Sequence, residues 1–197
     1  MAFRTLSVEE FSDMLAAKTP TPGGGAVAAV TASHAAALGA MVLEFTLGKP
    51  KFAEHEATNA SALARLRELR HEALELADRD AEAYGALNAL WKLPKDAPAR
   101  LTAWDATVAA AIDAPQAILD RAAEIAVTCV ALAPRTNANL ASDLAIAVDL
   151  ARVAARAAAH NVDVNLPSVA DAADRDARRA RMDHALREAG AGGTHSA

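Results

Sequence analysis

Leu66 to Trp91 reads LRELRHEALELADRDAEAYGALNALW, and the spacing of its apolar residues decides the fold. Leu66, Leu69, Ala73, Leu76, Asp80, Ala83, Tyr84, Leu87 and Trp91 recur at steps of three and four, which keeps them on one face of an α-helix. That stripe is expected to be buried, yet its centre is a carboxylate. An ionised carboxylate is costly to bury alone, so Asp80 is expected to be paired by a core partner, protonated or chemically active. Periodicity by itself leaves these readings equal.

The rest of the chain extends the helical pattern. Hydrophobic residues make up 53% of the sequence and aromatics only 4%, so alanine and leucine supply most of the apolar content. Alanine leads the helix-propensity scale, and β-branched or aromatic runs of strand length are missing. An all-α bundle of about six to seven long helices is expected. The 197 residues suit one domain, 1–189, followed by a flexible tail, 190–197.

Ser7-Val8-Glu9-Glu10 is a capping box opening a short helix that ends before Pro20. Thr19-Pro20-Thr21-Pro22-Gly23-Gly24-Gly25 breaks the pattern. A long helix over Ala26–Leu47 follows, with Ala28, Ala32, Ala36 and Ala40 at every fourth position and Gly39 alongside, a surface suited to close helix approach. After Gly48, the basic turn Lys49-Pro50-Lys51-Phe52 leads to a helix from Ala53 to Lys92. A helix over Ala99–Ile112 is expected next, then a separate one with Pro115 in its first turn, to Leu132. The helix from Leu140 to Val164 carries a second stripe with polar ends, Asp143, Ala147, Leu150, Ala154, Ala158, Asn161 and Asn165. Ser168-Val169-Ala170-Asp171 caps a last, charge-rich helix.

Several functions are disfavoured. A formal net charge of −5 and the lack of a basic stripe remove the footprint of nucleic-acid binding. The single cysteine, Cys129, sits in an apolar run, excludes an intrachain disulfide and fits a reducing compartment. Met1 to Leu15 has no secretory pattern, and Ala26 to Phe45, though long enough to span a bilayer, contains Thr31, Ser33, His34 and Glu44. A cytoplasmic protein with no membrane partner is expected. Glu68-Leu69-Arg70-His71 has Glu-x-x-His spacing, but di-metal bundles need two such motifs, so no metal site is expected. Pro22-Gly23-Gly24-Gly25 precedes a helix N-terminus, which attracts anions, but no Gly-Lys-Ser/Thr follows. On its own it reads more readily as a tight connection. Asp143 reads as a helix-terminal dipole partner, and Asn161 and Asn165 as hydrogen-bonded residues at a helix crossing.

Together these features have a family likeness. Thr19 to Gly25 before an alanine-rich helix, Gly48-Lys49-Pro50-Lys51-Phe52, Asp78-Arg79-Asp80-Ala81-Glu82-Ala83-Tyr84 with Leu93-Pro94-Lys95, Asn137 with Ser142-Asp143, and Asn161-Val162-Asp163-Val164-Asn165 resemble, in order, the motifs of the cyclodeaminase/methenyltetrahydrofolate cyclohydrolase family. The likeness covers about residues 7 to 175. It departs at Pro50, where the family usually has a basic residue, at Ala114-Pro115-Gln116 in place of Val-Pro-Leu, at Thr136 in place of glycine, and in a shortened segment after Leu-Pro-Lys.

The resemblance implies an all-α homodimer with its active site in a groove between subunits. It implies action on one-carbon tetrahydrofolates, either hydrolysis of 5,10-methenyltetrahydrofolate to 10-formyltetrahydrofolate or cyclisation of 5-formiminotetrahydrofolate with loss of ammonia. The lack of a fused formiminotransferase domain in this sequence tilts the expectation toward the hydrolase. The family's catalytic aspartate falls on Asp80. Pro22, Gly23, Gly24 and Gly25 would line the substrate site; Asn137, Asp143 and Asn161 would hold the pterin edge or order water; Lys49 and Lys51 would meet the folate's glutamate tail, polyglutamylated or not. No cofactor beyond the tetrahydrofolate substrate is implied. Asp143 and Asn161 are eighteen residues apart on one helix, roughly 27 Å, so they cannot touch one pterin within one subunit. A non-catalytic folate-binding or scaffold dimer is the reading of another class, and it predicts that Asp80→Asn is tolerated.

Overall fold

The computed structural model describes residues 2–190. Six α-helices form the bundle: α1 Val8–Ala16, α2 Gly24–Glu44, α3 Glu56–Trp91, α4 Pro98–Leu132, α5 Ala141–Asn165 and α6 Ala172–Glu188. Short 3-10 turns link several of them, and no strand occurs among the described residues. The all-α expectation holds. Of the expected tail 190–197, all but Gly190 lies outside the described residues.

The short α1 is set by its cap. Glu10 N–H donates to Ser7 Oγ at 3.1 Å, and Ser7 N–H donates to Glu10 Oε2 at 2.7 Å. No residue of α1 is buried, so the N-terminal segment is fastened mainly from outside it. Phe3 packs edge-on against Phe11 at 5.8 Å between ring centroids, and its backbone N–H donates to Asp78 Oδ1 at 2.6 Å. One aspartate of the Asp78-Arg79-Asp80 motif therefore anchors the chain's start.

The central helix is α2, which packs on α3, α4 and α5. Ala28, Ala32 and Ala36 are buried, as the four-residue repeat predicts. At Gly39 a Cβ would lie 2.7 Å from Cys129 Sγ of α4 and 3.2 Å from Leu66 Cδ1 of α3. A side chain there would push two neighbours apart, so the absent Cβ is what lets three helices converge. Cys129 is fully buried, and burial pushes its thiol up to about 12. By length and composition α2 could cross a membrane, but more than half of its most apolar window is buried inside the fold. Its apolar surface is spent on the protein core.

Two expectations are overturned. The first concerns Pro115, which lies inside one continuous α4 rather than in the first turn of a second helix. An interior proline has no N–H for the carbonyl four residues back and costs on the order of 3 kcal/mol in a helix. That orphaned carbonyl belongs to Ala111, and Asn165 Nδ2, from the end of α5, donates to it at 3.0 Å. A tertiary hydrogen bond thus bridges the break and the helix runs through.

The second concerns the stripe of α3. Leu66, Leu69, Ala73, Leu76 and Leu87 are buried as expected, but Tyr84 and Trp91 are 38% and 43% exposed. Their rings meet edge to face at 6.1 Å on the surface instead. The burial of the stripe weakens just beyond Asp80.

Candidate active site

Asp80 projects from α3 onto the start of α2. A Cβ built on Gly25 would sit 2.1 Å from Asp80 Oδ2 and 2.4 Å from Oδ1, so the carboxyl occupies the space that any other residue's side chain would need. Gly24 faces Asn161 of α5 in the same way, at an ordinary 3.6 Å. The glycine run is therefore a close-approach surface, not merely a connection. The Thr21–Pro22 peptide ahead of it is cis.

Around Asp80 lies a cavity of about 250 Å³ walled by Thr21, Gly23–Gly25, Tyr84, Ala111, Asn161 and Asn165. Gly23 gives α2 no side-chain cap, and the first intrahelical bond is Val27 N–H to Gly23 at 3.1 Å. Among the described residues the N–H groups of Gly24 and Gly25 have no partner, and at the cavity wall they favour negative charge. Among the described residues Asp80 has no hydrogen-bond or ion-pair partner. Burial pushes its carboxyl up to about 6. Desolvation favours the neutral acid, and no cation opposes it. A carboxyl with these properties exchanges protons near neutral pH.

The five predicted residues Gly23, Gly24, Gly25, Asp80 and Asn161 share this cavity. Pro22 is buried in the preceding loop without lining it. The other four lie elsewhere. Lys49 and Lys51 are exposed beyond the far end of α2, a helix that spans roughly 31 Å. Lys51 Nζ stands 5.6 Å from the Phe52 ring centroid. Asn137 N–H donates to Thr46 Oγ1 at 3.1 Å, at that same far end. It lines a separate, mainly apolar cavity of about 300 Å³ beside Cys129 and Leu144. Asp143 begins α5, at the opposite end of that helix from Asn161. The chain therefore holds two groups of candidate residues at opposite ends of the bundle.

The sequence assigns no substrate contact to Thr21, Tyr84, Ala111 or Asn165, which also line the Asp80 cavity; Asn165 is hydrogen-bonded where α5 meets α4, as its position on the stripe predicts. Tyr84 and Asn165 sat on the two stripes, so their faces were legible. Ala111 carries no sequence signal, because only the backbone carbonyl freed by Pro115 makes it polar.

With this geometry in place, the chain's relatives can be compared. Residues 7–184 match the family model described as formiminotransferase-cyclodeaminase. A methenyltetrahydrofolate cyclohydrolase of Methylorubrum extorquens is 34% identical over 94% of this chain and 91% of its own length. The formimidoyltransferase-cyclodeaminase of Rattus norvegicus is 28% identical over 93% of this chain, which spans 35% of that longer protein. The crystal structure of a formiminotetrahydrofolate cyclodeaminase from Thermotoga maritima superposes with a TM-score of 0.80 at 28% identity, covering 94% of each chain. A match over nearly the whole bundle, together with a full-length relative, places the protein in the formiminotransferase-cyclodeaminase family.

Proposed function

We propose that this protein is a methenyltetrahydrofolate cyclohydrolase of one-carbon metabolism, with Asp80 as its proton-transfer residue. The observation that carries the reading is the unpartnered carboxyl of Asp80, set over Gly25 in a polar cavity and shifted toward neutral pH by burial. The full-length cyclohydrolase relative supports the choice of reaction.

The chemistry follows from the charge. The methenyl substrate is an amidinium cation whose carbon bridges N5 and N10, and an ionised Asp80 stabilises it. Asp80 takes a proton from the attacking water as the C–O bond forms. Returned to N5, that proton lets the C–N5 bond break, and the carbinol O–H releases its proton to solvent as the C=O of the N10 formyl group forms. A group that accepts and then donates within one cycle works best with a pKa near the operating pH. No cofactor beyond the folate takes part.

A pair of subunits completes the site. Packed so that opposite bundle ends meet, Lys49, Lys51, Asn137 and Asp143 of one chain would face the Asp80 cavity of the other. The lysines would then hold the glutamate tail of the folate, and the amide and carboxylate the pterin edge. This arrangement joins the two separated groups without moving any helix. We place the dimer in the cytoplasm, free of membrane and nucleic acid.

The cyclodeaminase reaction is the second reading, favoured by the Thermotoga maritima likeness. It passes through the same tetrahedral carbon and releases ammonia in place of consuming water. Purified protein is mixed with methenyltetrahydrofolate and its near-ultraviolet absorbance followed, and ammonia is measured in parallel with formiminotetrahydrofolate. Loss of absorbance that depends on Asp80 is the expected result. Ammonia release without methenyl hydrolysis would replace the first reading by the second. Folate binding without turnover in either assay would make the protein a binding module.

A further inference from the structure

The proline break in α4 and the last turn of α5 meet at the cavity wall, and the contact is specific. Asn165 is buried. Its Nδ2 donates to the carbonyl of Ala111 at 3.0 Å and to the carbonyl of Asn161 at 3.0 Å. An amide nitrogen has two hydrogens, so both are used. The partners are carbonyl oxygens, which only accept, so the orientation of the amide is fixed by chemistry. Its Oδ1 has no hydrogen-bond partner among the described residues. Asn161 repeats the arrangement one turn earlier, with Nδ2 donating to Ala157 at 2.9 Å. Both amides and Ala111 belong to the wall of the cavity that holds Asp80.

We propose that Asn165 is a positioning residue of the site: its amide nitrogen is locked by the Ala111 carbonyl that Pro115 frees, and its Oδ1 is thereby held as an acceptor in the Asp80 cavity. The chemistry it suits is a hydrogen on the heteroatom entering or leaving the one-carbon unit, water in the hydrolase or ammonia in the deaminase. Asp80 and the Asn161 Oδ1 offer acceptors in the same space. Pro115 has a role in this scheme. Pro115 leaves the Ala111 carbonyl to Asn165 alone; with any other residue at that position the helix's own N–H would share that oxygen, whose second lone pair can still hold the amide. The inference rests on the reading that this cavity is the active site.

The test separates satisfying a carbonyl from positioning an acceptor. Asn165→Ala, Pro115→Ala and the double variant are compared by melting temperature and by kcat and KM for methenyltetrahydrofolate. Asn165→Ala is expected to melt lower and to lose at least tenfold in kcat. In the double variant the restored N–H of residue 115 satisfies Ala111, so stability should return to that of Pro115→Ala. Its kcat should stay at least tenfold below Pro115→Ala, because no Oδ1 is present. Recovery of kcat along with stability would overturn the proposal, as would wild-type kcat in Asn165→Ala. A double variant no more stable than Asn165→Ala would overturn it too, since the Ala111 carbonyl would then not be what Asn165 serves. Absent wild-type turnover, or full turnover in Asp80→Asn, would instead remove the active-site reading itself.

Discussion

Glu72 and Asp80 lie two turns apart on α3 and are treated in opposite ways. Glu72 accepts from Arg65 Nη1 at 2.8 Å and pairs with Arg121 Nε of α4 at 2.5 Å. Arg65 also grips Glu124 of α4 with two nitrogens, at 2.6 and 2.9 Å. Burial raises the Glu72 carboxyl, but the Arg65 hydrogen bond and the Arg121 charge outweigh it, and its pKa ends below the usual value. Asp80 is half-buried with no such partners among the described residues, and desolvation raises it to about 6. One region uses charge to join two helices. The other withholds partners, leaving a carboxyl able to change its protonation state. Isolation, not mere burial, separates a reactive carboxyl from a structural one.

The largest test of that contrast is Asp80→Asn. Removing a general acid–base typically lowers kcat by about 10²- to 10⁴-fold. Because an unpaired buried charge also costs stability, the same substitution should hold or raise the melting temperature at pH 7. A fall in both would make Asp80 a structural residue like Glu72.

The pH dependence of stability should run in opposite directions at the two sites. The folded protein holds the Asp80 proton to about pH 6, whereas an unfolded aspartate releases it near pH 4. The folded state therefore binds the extra proton between these values. The contribution of Asp80 is fully favourable below about pH 4 and declines by roughly 3 kcal/mol as pH rises to about 6. Glu72, with its lowered value, contributes at neutral pH and loses that contribution on acidification. Urea melts of wild type and Asp80→Asn between pH 4 and 7 should differ by the Asp80 slope, and parallel curves would refute it.

Gly25→Ala attacks the geometry instead. The new Cβ displaces the Asp80 carboxyl, and a misplacement of about 1 Å can cost on the order of a hundredfold in rate. A drop in kcat of tenfold to a hundredfold with a near-native melt is expected; unchanged kcat would mean the carboxyl need not sit over Gly25. The smallest effect belongs to the paired region. Arg65→Ala should cost about 1 kcal/mol, as expected for partly exposed ion pairs, with kcat unaltered. Activity loss there would show that the two regions are coupled.

Much of this was legible in the sequence. The Ser7–Glu10 cap, the alanine repeat of α2 and the stripe of α3 announce helices because their signals are local. Asp80 stood out because a carboxylate interrupts a buried face, and the glycine run marked its close-approach partner. What stayed hidden depends on distant contacts. Pro115 reads as a helix start until Asn165, fifty residues later in the chain, supplies the missing hydrogen. Tyr84 and Trp91 continue the stripe in sequence but project from its exposed edge, on either side of the fully buried Leu87. The Arg65 grip on Glu124 of α4 is likewise silent in the sequence, since the facing residue comes from another helix.

The convergence of Gly39, Leu66 and Cys129 makes the lone thiol a clock. A fully covered sulfur with its pKa near 12 is almost entirely un-ionised at neutral pH, and thiolate is the reacting form. Alkylating reagents should modify it only when α2 and α4 part. The labelling rate of the unmodified protein then reports how often its centre opens, and saturating the Asp80 cavity with folate should slow that rate.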